Sequence, residues 1–284
     1  YVLCAIAAID EKLEELLEGG TVGIVGFGCV GSALAARLES LEIAYRVYDP
    51  WLEQQTIPSC AGLEAVLRCD VVSLHPELTR ASPWPSYHLF DQDALSQLHS
   101  NTLLINASRG AVVDNGALLA RLVSDDGPQA VLDVWEGEPV LDPRLLQRVV
   151  VGTPHIAGYS LDAKLRATQM LCDALAGFLD QASIASTSPV GRPPPIHVRE
   201  PASKADLLRA LMQSRYTIHR DDARLRQVVL EQGKDDGEGF DALRKSYTER
   251  RELAGSTVSC EHSAAEVGAL VGEGVERQTA RRLK

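Results

Sequence analysis

The stretch VGIVGFGCVGSALAARL, residues 22–38, holds the pattern that decides the fold. Gly26, Gly28 and Gly31 follow an apolar, strand-like run and precede a helical pattern. In that context the first glycine permits a tight turn, the second lets the backbone approach a pyrophosphate, and the third lets the helix pack closely on the strand. The N-terminus of the helix then faces the phosphates. The stretch therefore predicts a dinucleotide-binding site, and the alternative is a purely structural turn.

An acidic residue stands where such a site needs one for the adenosine ribose. Asp49 ends the next strand-like run and follows Gly26 at close to the spacing of about 20 residues that is typical of the ribose-binding acid. A carboxylate at this position repels a 2′-phosphate, so the sequence favours NAD over NADP. The alternative for Asp49 is a strand-end aspartate without a ligand.

Short apolar runs recur along the first half of the chain and alternate with helical patterns. The runs are 21–25, 44–48, 71–74, 102–106, 130–134 and 149–151. One helical pattern places Val30, Leu34, Leu38 and Leu41 on a single face. Continuously apolar strands that are interleaved with helices are typical of a parallel sheet covered on both faces. The predicted fold class is therefore α/β, with a doubly wound parallel sheet.

Composition and charge limit the partners. Lys and Arg number 28 against 39 Asp and Glu, a formal net charge of −11, which argues against nucleic acid or an anionic membrane as the main partner. The apolar start, residues 1–9, is too short to span a bilayer and lacks the basic region of a signal peptide. Six cysteines without a Cys-x-x-Cys pair or metal-ligand spacing predict free thiols in a reducing cytoplasm and no metal site.

Ionisable residues follow three of the predicted strands. They are Arg109 after 102–106, Glu136 and Glu138 after 130–134, and His155 after 149–151. Because the carboxyl ends of parallel strands face one crevice, we expect these side chains to converge. Beyond Arg109, Gly110 is expected to let the chain turn and Asp114 to cap the next helix.

This set of side chains fits the oxidation of an alcohol with NAD. Histidine titrates near neutral pH and suits the role of base for the hydroxyl proton. A carboxylate beside it would stabilise the imidazolium and fix the ring. Arginine binds a substrate carboxylate in a fork. Taken singly, each residue has a simpler interpretation, as a structural histidine, a solvated loop glutamate or a surface arginine.

Composition changes after residue 180. Residues 161–180 are predicted to form one long amphipathic helix, and the segment 182–204 that follows is rich in Ser, Thr and Pro. Three consecutive prolines favour an extended linker and exclude helix. We therefore place a domain boundary there and expect 205–284 to form a smaller, charged domain with short helices.

Five motifs, in order, resemble those of the D-isomer-specific 2-hydroxyacid dehydrogenases. They are GIVGFGCVG (23–31), YDP (48–50), INASRGAVVDN (105–115), LDVWEGEP (132–139) and TPHIAGY (153–159). The resemblance covers 1–180 and implies a Rossmann NAD-binding domain over 1–158 and a helix, 159–182, that returns to a substrate domain. It also implies that Arg109 orients the substrate and that His155 is the general acid/base. Glu138, rather than Glu136, matches the glutamate paired with that histidine.

The resemblance implies further contacts with the cofactor and the substrate. Asp133 would lie near the nicotinamide carboxamide, and Tyr159 would contact the substrate. The cofactor-binding residues so expected are Gly26, Gly28, Cys29, Val30, Gly31, Asp49, Pro76, Ala107, Ser108, Arg109, Asp133 and Gly158. Candidates to bind a substrate phosphate are Tyr159, Lys164 and Arg166, and the sequence does not choose among them.

Two later segments narrow the resemblance. RDDARLRQ (220–227) and FDALRKSYTERRE (240–252) resemble the C-terminal dimerisation domain of family members that act on a small phosphorylated 2-hydroxy acid. This implies a linker at 183–204, an α+β dimerisation domain at 205–284 and a homodimer. The alternative for these charges is a solvated helical face.

By this resemblance, we expect the family's N-terminal substrate half-domain to be absent from this sequence, which opens at the helix that leads into the nucleotide domain. Two other functions stay open. One is a dehydrogenase of the phosphoglycerate or glycerate type, and the other is an NAD-binding remnant without turnover.

Overall fold

The computed structural model describes residues 1–181, 191, 193–198, 201–231, 237–247 and 250–259. The chain divides into two compact units. Unit 1 comprises 1–156 and 217–246, and unit 2 comprises 157–216 and 247–284. Within the described ranges, no helix is both long and apolar enough to cross a membrane.

Unit 1 is built on a six-stranded parallel sheet with the strand order β2-β1-β3-β4-β5-β6, which confirms the predicted doubly wound α/β fold. The strands are β1 Thr21–Val25, β2 Ala44–Tyr48, β3 Val71–Leu74, β4 Leu103–Asn106, β5 Gln129–Leu132 and β6 Val151–Gly152. The first three match the predicted runs. The ends of the last three differ from the predictions by one or two residues.

Unit 1 contains nine of the described α-helices, and unit 2 contains the other two. The helices of unit 1 are α1 Val2–Ala7, α2 Lys12–Leu17, α3 Cys29–Ser40, α4 Leu63–Leu67, α5 Gln92–Ser96, α6 Asn115–Val123, α7 Pro143–Arg148, α10 Ile218–Arg226 and α11 Glu238–Lys245. Those of unit 2 are α8 Leu161–Phe178 and α9 Lys204–Arg215. Asp114 caps α6 as predicted, because its Oδ1 accepts a hydrogen bond of 2.9 Å from the backbone of Ala117.

Two details of the predicted apolar pattern are wrong. Val30 is 62% exposed, whereas Leu34 and Leu38 are buried. Val30 stands in the first turn of α3, and the packing of this helix begins only one turn later. Strand β2 alternates between buried and exposed residues, because it lies at the edge of the sheet and is covered on one face only.

The core of unit 1 includes residues from far along the chain. Leu225 in α10 and Phe240 in α11 are fully buried in the same apolar cluster as Trp135. Residues 217–246, which lie inside the predicted C-terminal domain, are thus grouped with the nucleotide-binding sheet. Half of the proposed linker, 183–204, falls outside the described residues, and the predicted domain bounds stay a prediction.

Unit 2 contains α8, α9 and a two-stranded parallel sheet of β7 Ile196–His197 and β8 Val258–Ser259. The Ser160 hydroxyl caps α8 by accepting from the backbone of Ala163 at 3.1 Å. Helix α8 buries none of its residues, and Phe178 at its end is 86% exposed. The start of α8 is held by Arg251, whose guanidinium contacts the Asp162 carboxylate at 3.0 Å.

A close approach, rather than a left-handed turn, explains Gly110. A Cβ atom on Gly110 would lie 2.0 Å from the carbonyl carbon and oxygen of Trp135. We expect Gly110→Ala to lower the free energy of unfolding by about 3 kcal/mol, because a clash with backbone cannot be relieved by a rotamer change. Urea denaturation measures the loss. Gly62→Ala is the control, since nothing lies within 4 Å of a Cβ there. Equal stability of the two variants would contradict this reading.

Burial lowers the pKa of His75 to about 4, because the interior disfavours the imidazolium. His75 follows β3, and its Nε2 lies 2.9 Å from the Ser73 hydroxyl. In the unfolded chain a histidine titrates near pH 6.5. Between about pH 6.5 and pH 4 the unfolded state therefore binds a proton that the folded state does not. The folded state loses stability as the pH falls through this window.

His75→Gln removes this proton uptake. Between pH 7 and pH 4.5 we expect wild type to lose about 2.5 kcal/mol more stability than the variant. Urea denaturation at the two pH values gives the difference. His99→Gln, which changes an exposed histidine, is the control and should keep the wild-type pH dependence. Identical pH dependence in both variants would rule out this role for His75.

Candidate functional site

A cavity of about 640 Å³ opens at the carboxyl ends of β1, β2 and β3. Gly26, Phe27 and Gly28 form one wall, and Asp49 lies on another. Pro76, expected to contact the cofactor, also lines it. The ends of parallel strands are where α/β folds bind their ligands, so this cavity is the candidate dinucleotide site.

The glycine turn has the geometry that a dinucleotide requires. Gly26 has φ of 89°, and a Cβ on Gly31 would lie 2.1 Å from the Gly26 carbonyl oxygen. Nothing lies within 4 Å of a Cβ built on Gly28, so backbone borders open space there. Cys29 and Val30 begin α3 directly after this turn. The turn thus leaves the backbone at a helix N-terminus open to a phosphate, which fits NAD.

Backbone hydrogen bonds fix the Asp49 carboxylate at the cavity wall. Its Oδ2 accepts from the Phe27 N–H at 2.8 Å, and its Oδ1 accepts from the Trp51 N–H at 3.0 Å. The indole of Trp51 in turn donates to the Trp84 carbonyl at 3.0 Å. Both tryptophans line the cavity, and sequence reasoning missed them because neither belongs to a recognisable motif.

The ends of β4, β5 and β6 are tied together in a row. The Asp133 N–H donates to the Asn106 carbonyl at 2.9 Å, and the His155 N–H donates to the Asp133 carbonyl at 2.7 Å. Residues that are distant in sequence therefore lie next to one another at the carboxyl ends of these strands. The structure brings the segments that carry Arg109, Asp133 and His155 together in this way.

The buried amide of Asn106 shapes the turn that carries Arg109. Its Nδ2 donates to the Arg109 carbonyl at 3.0 Å, and its Oδ1 accepts from the Ser108 N–H at 3.1 Å and from the Ser108 hydroxyl at 2.8 Å. Ala107 lies within this turn. Arg109 itself is exposed, and one of its nitrogens donates to the Ser108 carbonyl at 2.7 Å. No carboxylate of the described residues forms an ion pair with Arg109, so the cation can receive an anionic ligand.

His155 and Glu138 form a hydrogen-bonded pair. The His155 Nδ1 and the Glu138 Oε2 are 2.8 Å apart, and the Glu138 Oε1 accepts from the Trp135 N–H at 2.7 Å. A carboxylate can only accept, so Nδ1 carries the proton and the neutral ring keeps Nε2 as an acceptor. This arrangement leaves Nε2 able to take a proton from a ligand.

Trp135 forms hydrogen bonds with both of the segments that carry this pair. Its buried indole donates to the Thr153 carbonyl at 3.0 Å, and the same carbonyl accepts from the His155 N–H at 3.1 Å. Trp135 therefore contacts both the glutamate and the segment that leads to the histidine. Its pattern in the sequence gives no sign of this role, because the contact spans 18 residues.

Asp133 is almost fully buried, with 1% of its surface exposed. Its Oδ1 accepts from the Thr153 hydroxyl at 2.6 Å and from the Ile156 N–H at 2.8 Å. The carboxylate therefore stabilises the turn over 153–156 through these two hydrogen bonds. A position near the nicotinamide remains a prediction for this residue.

Glu136 belongs to a different cluster. Its carboxylate contacts the His88 Nε2 at 2.7 Å and accepts from the Asn115 N–H at 3.3 Å. The His88 Nδ1 also lies 3.7 Å from the Asp114 carboxylate. The structure thus separates the two glutamates of the WEGEP motif, and only Glu138 contacts His155. Sequence reasoning missed His88, which follows no predicted strand.

The predicted substrate residue Tyr159 lies in unit 2, as does Gly158. The Lys164 ammonium is 5.1 Å from the centre of the Tyr159 ring, while Arg166 is exposed on the same helix. The Tyr247 ring packs edge-on against Tyr159, with 6.1 Å between centroids. Lys164 and Tyr159 therefore form a cation–π contact.

Cysteines and metal-binding side chains add no site in the described part of the chain. Cys4, Cys29, Cys60, Cys69 and Cys172 are free thiols, and Cys260 lies outside the described residues. Among the residues that the structure describes, no group of three His, Cys, Asp or Glu side chains is arranged to hold a metal ion.

Two family descriptions match the chain. The NAD-binding domain of the D-isomer specific 2-hydroxyacid dehydrogenases matches residues 8–157. A domain of unknown function, DUF3410, matches residues 189–271. The first match covers the cavity, the glycine turn and the pair of His155 and Glu138.

Curated relatives extend the match beyond this domain. The erythronate-4-phosphate dehydrogenase of Psychromonas ingrahamii is 38% identical over 262 residues, which cover 91% of this chain and 67% of that protein. The enzyme of the same name from Serratia proteamaculans is 42% identical over 270 residues, which cover 93% of this chain and 71% of that protein. The chain thus spans about two thirds to seven tenths of the length of these relatives.

A solved structure shares the fold. The NAD-complexed form of the D-isomer specific 2-hydroxyacid dehydrogenase from Lactobacillus delbrueckii ssp. bulgaricus is 27% identical, with a TM-score of 0.50. The likeness covers 61% of this chain and 57% of that one, so the chain spans little more than half of the solved protein. With the domain match and the geometry of the cavity, it confirms NAD as the cofactor. The chain belongs to the D-isomer-specific 2-hydroxyacid dehydrogenases, a family of NAD-dependent oxidoreductases.

Proposed function

We propose that this chain takes part in the NAD-dependent oxidation of 4-phospho-D-erythronate to 3-hydroxy-2-oxo-4-phosphooxybutanoate, a step of pyridoxal phosphate biosynthesis. The observation that carries the proposed chemistry is the contact of 2.8 Å between His155 Nδ1 and Glu138, in the same unit as the dinucleotide cavity. The choice of substrate is supported by the name of the relatives that are 38% and 42% identical.

In this proposal His155, Glu138 and Arg109 divide the chemistry. NAD, when bound, supplies the acceptor for a hydride. His155 Nε2 takes the proton of the C2 hydroxyl as the C2 hydrogen leaves with its electron pair, so that C2 becomes a carbonyl. Glu138 stabilises the resulting imidazolium and keeps the ring in one orientation. Arg109 binds the substrate carboxylate through paired N–H groups and polarises the new carbonyl.

Different parts of the chain would bind the dinucleotide and the phosphate group of the substrate. The glycine turn and Asp49 would hold the dinucleotide, with Cys29, Val30, Pro76, Ala107, Ser108, Asp133 and Gly158 as further proposed neighbours. For the substrate phosphate, Tyr159, Lys164 and Arg166 are the candidates. The contact of Lys164 with Tyr159 supports these two as a joint phosphate-binding pair.

The protein's oligomeric state and its cellular compartment can be proposed as well. We propose a homodimer formed through the C-terminal region, 205–284, supported by the resemblance of 220–227 and 240–252 to a dimerisation domain. We propose the cytoplasm as the compartment, since the described cysteines are free thiols. Sedimentation of the full-length gene product tests the dimer, and a monomer at micromolar concentration would overturn it.

Arg109→Ala should remove most turnover without removing the cofactor. We expect kcat/KM for 4-phosphoerythronate to fall by roughly 10²- to 10³-fold, because the variant lacks the cation that holds the carboxylate and stabilises developing charge. NADH formation in the full-length gene product measures this, and calorimetry should show that the variant still binds NAD.

Arg68→Ala is the matched control for Arg109, since Arg68 is an exposed arginine that pairs with Glu64 at 3.6 Å. Near-normal kcat/KM in Arg109→Ala would overturn the assignment. Rates on phosphoglycerate and glycerate, measured in parallel, separate the proposed substrate from the alternatives. NAD binding without turnover on any of them would support a binding protein instead of an enzyme.

Asp49→Asn should weaken the choice of NAD over NADP. The amide can still accept from the Phe27 N–H, but the negative charge that repels a 2′-phosphate is lost. We expect the ratio of the Kd values for NADP and NAD to fall at least about tenfold, since a hydrogen bond to a charged group contributes roughly 1.5–3 kcal/mol. Calorimetric titration measures both constants. Glu64→Gln, which changes an exposed side chain of α4, should leave the ratio unchanged, and an unchanged ratio in Asp49→Asn would refute the role.

A further inference from the structure

Helix α10 covers the outer side of strand β6, the edge strand that leads to His155. Both elements belong to unit 1, although α10 lies about 70 residues further along the chain. The helix falls within 189–271, the region that matches a domain of unknown function. An edge strand has backbone groups without a neighbouring strand, so the contacts of α10 with β6 show what this region contributes.

Asp222 on α10 receives the buried backbone N–H of Gly152. The Asp222 Oδ1 lies 2.7 Å from this nitrogen. A Cβ on Gly152 would stand 2.6 Å from the Leu146 side chain and 2.9 Å from the Trp135 ring, so only bare backbone fits between them. Because a buried N–H without a partner costs free energy, the carboxylate of Asp222 stabilises β6 in this position.

Arg226 holds that carboxylate and the approach to β6 at the same time. Its Nε lies 2.9 Å from both oxygens of Asp222. Its two terminal nitrogens donate to the carbonyls of Leu146 at 2.7 Å and Val149 at 2.8 Å. These carbonyls end helix α7 and begin the turn into β6, where a cation is favoured. A single guanidinium therefore connects α10 with the segment on either side of residue 148.

Gly152 lies three residues before His155, so the position of its backbone affects that of the proposed catalytic pair. Thr153, the next residue, has a carbonyl that accepts from the Trp135 indole and from the His155 N–H. Asp222 thus fixes the end of β6 from the outer side, while Trp135 fixes it from the core. Displacement of this strand end would move the His155 ring relative to Glu138.

We propose that Asp222 and Arg226, the edge pair, are positioning residues that keep the His155 ring in hydrogen-bond contact with Glu138. This gives the C-terminal region a role in the chemistry of the sheet, separate from assembly. The inference rests on the proposed function only in taking His155 as the acid/base. Since β6 and β2 are at opposite edges of the sheet, the edge pair should have little effect on the dinucleotide cavity.

The first test measures the tautomer of the His155 ring and does not require turnover. In the neutral ring, the ¹⁵N chemical shifts of His155 report which nitrogen carries the proton. At pH 9 we expect wild type to show one tautomer, with the proton on Nδ1, and Asp222→Ala and Arg226→Met to show a mixture. Asp222→Asn keeps an oxygen that accepts from Gly152 and should restore much of the wild-type signal. A wild-type tautomer in both folded variants, Asp222→Ala and Arg226→Met, overturns the proposal.

The second test separates kcat from KM. In the full-length gene product we expect Asp222→Ala and Arg226→Met to lower kcat about tenfold or more, as misplacement of a reacting group does, with the NAD Kd within about twofold of wild type. Asp241→Asn is the matched control, because this carboxylate of α11 is 42% exposed and forms only long contacts, with Arg244 at 3.9 Å and with Lys245 at 3.7 Å. Unchanged kcat in both edge-pair variants of an active enzyme overturns the proposal.

The two tests distinguish failure of the inference from failure of the proposed function. If wild type forms no NADH from 4-phosphoerythronate, the proposed function fails, yet the His155 tautomer still decides whether the edge pair positions the ring. If Asp222→Ala does not fold, Arg226→Met provides the same readouts, with Asp222→Asn as the variant expected to stay close to wild type. A wild-type tautomer and wild-type kcat in Arg226→Met would then overturn the proposal.

Discussion

The hydrogen bond from the His155 backbone to the Asp133 carbonyl, 2.7 Å long, is the constraint on which the candidate site depends. It ties the end of β6 to the end of β5, and a second bond ties β5 to β4. In a parallel sheet all strands end at one edge, so two such bonds suffice to align residues from three distant segments. His155 adopts φ of 53°, which is uncommon for a side chain with a Cβ. The contacts of its neighbours, including the buried carboxylate of Asp133, hold this backbone in place.

Much of this arrangement could be predicted because it is local in sequence. Continuous apolar runs between helical patterns indicated the parallel sheet, and the carboxyl ends of its strands indicated where ligands would bind. Asp49 could be singled out because its spacing from Gly26 follows from a single βαβ unit. The contact between His155 and Glu138 follows from the same strand-end logic, aided by motif resemblance. Each of these features depends on at most two neighbouring strands.

The residues that the sequence did not reveal owe their positions to contacts between distant segments. The contact between Asp222 and Gly152 spans 70 residues, and no periodicity links an aspartate on a charged helix to an edge strand. Residues 220–227 contain five charged side chains, which favoured a solvated face or a separate domain. Burial of Leu225 and Phe240 in the core of unit 1 outweighs that impression, since a few apolar residues on one face suffice to dock a helix.

Trp135 shows how one residue can set the distance between the two sides of the site. Its backbone carbonyl occupies the space of a Cβ on Gly110, next to Arg109, and its ring occupies the space of a Cβ on Gly152, ahead of His155. Its N–H donates to Glu138 and its indole donates to the Thr153 carbonyl. A phenylalanine could fill most of the volume, but it could not donate to Thr153, and that carbonyl would lose one of its partners. The tryptophan therefore couples the packing of the core to the placement of the proposed catalytic groups.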